Sequence, residues 1–148
     1  SSDPEMNRLI SGLDRFTLEA ARSLPPDDPT EQARRVLAWV QDWAYDRQVD
    51  GTDLVPPLAA AFGRRGDCDA RALVAAIILE RLGIDAILMV SKEYSHALLG
   101  VDVPGGGQRF SFAGKDYLVG ETTAKVGLGM IAQDQSDFSK WMGIPLGR

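Results

Sequence analysis

A chain of 148 residues, 45% hydrophobic and 25% charged, has the composition of one soluble globular domain with a single core. Its net charge of -5 opposes a phosphate-backbone partner, so nucleic acid is excluded, and the pairs Arg34-Arg35 and Arg64-Arg65 read as solvated surface charges. One cysteine and one histidine leave neither a disulfide framework nor metal-ligand spacing, so no metal site and no cofactor is expected.

The longest apolar run, Ala72 to Leu79, is closed by Glu80 and Arg81, well short of the roughly 18 residues that a bilayer span requires. The opening Ser1-Ser2-Asp3-Pro4 has neither a basic nor an apolar signal region and reads as a cut or mature end. It suggests a domain taken from a longer protein, with an extracytoplasmic or membrane-attached parent ahead of a cytoplasmic one.

In chain order, Met6, Leu9, Ile10, Leu13, Phe16 and Ala20 recur at helical spacing and predict an amphipathic helix ending near Ser23, stopped by Leu24-Pro25-Pro26. Asp28-Pro29-Thr30-Glu31 combines an N-cap, a first-turn proline and an acid, and starts a second helix to about Asp46. Val36, Trp39, Val40 and Trp43 form its apolar face. Residues 48–57 read as a loop bordering the site, followed by a helical turn over 58–62. The segment from Asp67 to Leu82, apolar nearly all round and ending at Gly83, predicts a centrally buried helix.

The period then becomes two, with strands expected over 84–90, 95–103, 108–113 and 117–122. Hairpin-length connections imply an antiparallel sheet of about four strands. A last short helix over 134–142, with Phe138 and Trp141 turned inward, closes the chain. Helices first and strands afterwards make an α+β domain with the buried helix packed on the sheet. The chain divides into an N-terminal helical extension over 1–27, a core over 28–123 and a tail over 124–148.

Cys68 stands at the start of the buried helix, after Gly66-Asp67. A helix N-terminus offers unpaired N–H groups and the positive end of the macrodipole, which favour a thiolate and can receive an oxyanion. His96 is the single available base, on the strand face shared by Leu98, Gly100 and Asp102. Glu121 is the expected acid that orients the imidazole. Asp116 competes for that role, but its turn position beside Lys115 is ordinary for an aspartate. Asp67 and Asp69 read as a cap and a surface charge.

Taken together, Gly66-Asp67-Cys68 opening an Ala/Leu-rich helix that ends Leu82-Gly83-Ile84, then Ser95-His96-Ala97, then Tyr117-Leu118-Val119-Gly120-Glu121-Thr122-Thr123, resemble the transglutaminase-like core, with its Cys, His, acid order and papain-like fold. The resemblance covers about residues 34–123. It implies a catalytic set of Cys68, His96 and Glu121 and acyl transfer from an amide or peptide carbonyl through a thioester. Peptidase or amidase activity on a protein or peptide substrate is the first expectation, and protein-glutamine transglutaminase activity the second. The family's usual aspartate is Glu121 here, and Leu98 stands where a tryptophan usually follows the His-Ala pair. Those departures carry the alternative expectation, a catalytically inactive binding or assembly domain on the same scaffold.

Overall fold

A computed structural model describes residues 22–47 and 67–146, with side chains over 22–42 and 71–146. The first expected helix lies outside this range except for its last turn at Arg22-Ser23, and the 48–66 segment lies outside it entirely.

Helix α1 spans Pro29–Arg47. It begins as its capping residues dictate: the Asp28 carboxylate accepts from the Glu31 N–H at 3.0 Å, satisfying a donor that a helix start leaves open, and Asp28 O receives the Gln32 N–H at 3.0 Å as the first intrahelical bond. Its apolar stripe, Ala33, Val36, Leu37 and Val40, is buried, with Trp39 packed partly against the same core.

Helix α2 spans Asp67–Arg81. It ends in a Schellman arrangement: the Ile84 N–H reaches Leu79 O at 2.9 Å, the Gly83 N–H reaches Glu80 O at 3.0 Å, and Gly83 takes φ +84°. A side chain at that φ would be strained, which is why glycine ends this helix.

Five strands follow: β1 Ala86–Ser91, β2 His96–Val101, β3 Arg109–Phe112, β4 Lys115–Gly120 and β5 Met142–Pro145. They form one sheet in the order β3-β4-β2-β1-β5, with antiparallel pairing throughout. The fold is thus the expected α+β arrangement with one strand more than the periodicity suggested. Where a final helix was expected, the chain makes two short 3-10 turns, Gln133–Gln135 and Phe138–Lys140, and then β5. Gly143 and Pro145 disfavour helix beyond Met142, and the edge of β1 pairs the four residues from Met142 to Pro145.

Alternation divides the sheet's side chains between two cores. Ala86, Leu99, Val101 and Leu118 meet Val74, Ala75, Ala76, Ile78 and Leu79 of α2 and the stripe of α1. Ile87, Met89, Leu98, Phe110, Tyr117 and Val119 form the second core with Trp141, joined by Phe138 and Ile131. The edges of the sheet approach each other, since a Cβ on Gly143 of β5 would lie 2.7 Å from the Phe112 ring of β3. The sheet therefore curls around the second core.

A third small cluster, Ala72 with Leu88 and Ala97, sets the height of α2 on the sheet. Ala72 lies one turn after Cys68, and Ala97 follows His96, so this contact brings the start of α2 to the end of the sheet where β2 begins.

Leu79 is fully buried and belongs to both the helix terminus and the larger core. Leu79→Ala is expected to cost about 2–5 kcal/mol, as lost transfer energy plus a cavity, read as a lower urea midpoint at unchanged m-value.

Candidate active site

The position of His96 follows from the β1–β2 hairpin. Residues 92–95 make the turn, in which Ser95 N–H donates to Lys92 O at 3.3 Å, Tyr94 N–H donates to Ser91 Oγ at 3.2 Å, and Ser95 adopts φ +49°. Ser91 then pairs with His96. The imidazole shares the inner face of β2 with Leu98, and the Trp141 ring stands edge-on to it at 6.2 Å between centroids. The indole N–H of Trp141 is itself held by Gln135 O at 2.8 Å.

Glu121 follows the last residue of β4. The ladder closes with Leu99 opposite Gly120, so the next step places Glu121 level with Leu98 and diagonal to His96, within reach of a long side chain. The contact is made: His96 Nε2 and Glu121 Oε2 are 2.7 Å apart, with side chains only 14% and 10% exposed. The other oxygen of the carboxylate accepts from the Thr123 backbone N–H at 3.0 Å and the Thr123 hydroxyl at 2.7 Å. Burial by itself would raise the Glu121 carboxyl above its ordinary value of 4.5, but the hydrogen bonds from His96 and Thr123 outweigh it and hold the group below that value. Glu121 is therefore ionised at neutral pH. A carboxylate only accepts, so the His96 Nε2 carries the hydrogen of the pair.

Asp116, the competing acid, lies at the opposite end of β4. Its carboxylate accepts from the Ser111 hydroxyl at 2.5 Å, and its backbone carbonyl accepts from Arg109 at 2.8 Å. It serves the β3–β4 hairpin and not the histidine.

Cys68 is the second residue of α2, in the first turn, where backbone N–H groups have no partner within the helix. Its side chain lies outside the described range, as do those of Asp67 and Asp69 and the whole 48–57 loop.

Three residues around the pair were not singled out by spacing. Thr123 is one, Trp141 as a neighbour of His96 is another, and Gln41 is the third. Gln41 is 5% exposed and donates from Nε2 to Glu121 O at 2.8 Å and to Val126 O at 2.9 Å. Its signal in the sequence was an anomaly: it continues the apolar series 33, 36, 37, 40 of α1 with an amide where a hydrocarbon is the rule. Among the described residues, no group of His, Cys, Asp and Glu is arranged to hold a metal, and no helix is long and apolar enough to cross a membrane.

Because the folded carboxyl of Glu121 sits below its ordinary value, the unfolded chain takes up the proton first as pH falls. The stabilisation from ionised Glu121 is complete above pH 4.5 and disappears as pH drops through the depressed folded value. Glu121→Gln is accordingly expected to cost about 1.5–3 kcal/mol at neutral pH, the range for hydrogen bonds to a charged group. That difference from the wild type should shrink steadily below pH 4.5 in parallel urea titrations, and a pH-independent difference would contradict the assignment.

The transglutaminase-like superfamily matches residues 19–107, a stretch that contains Cys68 and His96 and stops before Glu121. No curated protein and no solved structure gives a match. With well over half of its length matched, and with helices packed on an antiparallel sheet that brings a part-buried histidine and a buried acid together, the chain belongs to the transglutaminase-like superfamily.

Proposed function

We propose that this domain is a cysteine-dependent acyl-transfer enzyme acting on an amide or peptide carbonyl, with Cys68 as nucleophile, His96 as base and Glu121 as the orienting acid. The observation that carries this reading is the part-buried 2.7 Å His96–Glu121 pair at the end of the sheet to which the packing of Ala72 on Ala97 brings the first turn of α2.

The chemistry follows from the roles. The Cys68 thiol gives its proton to His96 Nδ1, and the resulting imidazolium is stabilised by the Glu121 carboxylate at Nε2. The thiolate attacks the carbonyl carbon, and the oxyanion is received by N–H groups of the first turn of α2. The tetrahedral intermediate collapses to a thioester as the C–N bond breaks, with the departing amine taking the proton from His96. Water, or a second amine, then attacks the thioester with His96 again as base, restoring the thiol. Water makes the enzyme a peptidase or amidase, the first reading; an amine makes it a transglutaminase.

Because the imidazole belongs to the inner face of the curled sheet and α2 covers the outer face, the thiol must meet it around the end of β2, beside the 92–95 turn. Substrate is expected to lie across that end, against Tyr94, which is itself ringed by Trp141 at 5.7 Å.

The chain's single cysteine makes the test direct. Cys68 is expected to react with iodoacetamide at neutral pH roughly tenfold or more faster than an unstructured cysteine peptide, in line with activated thiols, and His96→Ala should remove that advantage. Equal rates for the peptide, the wild type and the variant would overturn the reading. Turnover on a panel of peptide and carboxamide substrates should disappear in Cys68→Ala.

A further inference from the structure

We infer that Gln41 is a positioning residue for the acid of this site, tying helix α1 to Glu121 so that its carboxylate is held on His96; this rests on the proposed roles of His96 and Glu121. The ladder of β4 ends with Gly120 opposite Leu99, so Glu121 is the first residue whose backbone the sheet no longer holds. Its carbonyl oxygen accepts instead from Gln41 Nε2 at 2.8 Å, and the same amide nitrogen donates to Val126 O at 2.9 Å. Both acceptors are carbonyl oxygens, which can only accept, so the orientation of the amide is forced and both of its hydrogens are used.

One buried side chain thus spans the two ends of the 121–126 segment. Further along, Gly129 N–H returns to Val119 O at 2.6 Å, which closes the loop on β4 without touching Glu121. At the rim, Lys125 meets Asp42, the residue after Gln41, at 3.4 Å; both are well exposed, and such a pair fixes little. The carboxylate's own contacts to Thr123 are internal to the segment and would travel with it. Gln41 is therefore a buried link between the acid and the rest of the fold where the strand no longer supplies one. Loss of that link lets the 121–126 segment drift, and a drift of about 1 Å is enough to weaken a catalytic contact by orders of magnitude.

Two readouts separate positioning from general support. The chain has one histidine, so the downfield proton NMR signal of its hydrogen-bonded ring N–H belongs to His96 without labelling. Gln41→Met keeps the length and removes both donors. It is expected to broaden or abolish that signal and to slow Cys68 alkylation at pH 6 about tenfold, equivalent to one unit in the apparent pH midpoint of the rate profile. Gln41→Leu, which also lacks donors, should do the same and serves where the methionine variant folds poorly. Thr30→Val removes another α1-to-loop hydrogen bond, from the Thr30 hydroxyl to Pro104 O at 3.0 Å, and should leave both readouts unchanged. Wild-type signal and rate profile in a folded Gln41 variant, or the same change in Thr30→Val, would overturn the inference. If Cys68 showed no enhanced reactivity in the wild type, the nucleophile assignment would fail, while the His96 signal would still decide the role of Gln41.

Discussion

Helix α2 has no polar residue between Ala72 and Leu79, and a helix that is apolar on every side is stable only when every side is covered. That requirement organises the molecule. The stripe of α1 takes one flank of α2, and the outward-pointing residues of β1, β2 and β4 take another. The Schellman turn at Gly83 then redirects the chain at once into β1. Since small residues let the backbones approach, the contact of Ala72 with Leu88 and Ala97 sets how far α2 extends past the sheet. The helix start, whose first N–H groups have no partner within the helix, is brought to the end of β2 as a consequence of packing.

The two ends of the sheet carry different kinds of charge. Away from the histidine, Lys115 joins Asp85 at 2.6 Å and Asp102 at 3.3 Å, and the Tyr117 hydroxyl reaches Asp85 at 3.0 Å. Hydrogen bonds to Asp85 and Asp102 push Lys115 up to about 12, while burial first, and then Asp85, push Tyr117 up to about 12. Neither group changes state near neutrality, and the lysine is solvent-exposed, so this end serves as a polar clasp between β4 and the turn after α2. At the other end the His96–Glu121 pair is nearly excluded from water, where a charge-assisted hydrogen bond is stronger and an unpaired partner more costly. The contrast is one of environment: both ends use carboxylates, but one is solvated and the other is enclosed by Trp141, Thr123 and the loop that Gln41 holds.

Local signals in the sequence were enough for α1, α2 and four strands, because each combines a clear period with explicit stops: Asp28 and Pro29 at one start, Gly83 at one end, and glycine or charged turns between the strands. The fifth strand was not legible in this way. Met142–Pro145 is four residues long, with no alternating pattern, and it becomes a strand because β1 presents an edge and Phe112 needs the space over Gly143. Gln41 was visible as a break in an apolar stripe, but a single polar residue on such a stripe has many explanations, and its two acceptors lie 80 and 85 residues away.

What the sequence by itself determined was the inventory: one thiol at a helix start, one imidazole at a strand start, two acids near the ends of a later strand, and the order in which they occur. Composition and period settle these because they depend on residues a few positions apart. What only the tertiary structure decided was which acid meets the histidine. Asp116 lies near the start of β4 and Glu121 directly after its end, and local turn preference could rank them but not place them. The antiparallel register of β2 with β4, set by long-range packing against α2 and the inner core, carries Glu121 to His96 and leaves Asp116 at the far hairpin, because distance across a sheet is fixed by pairing and not by separation along the chain.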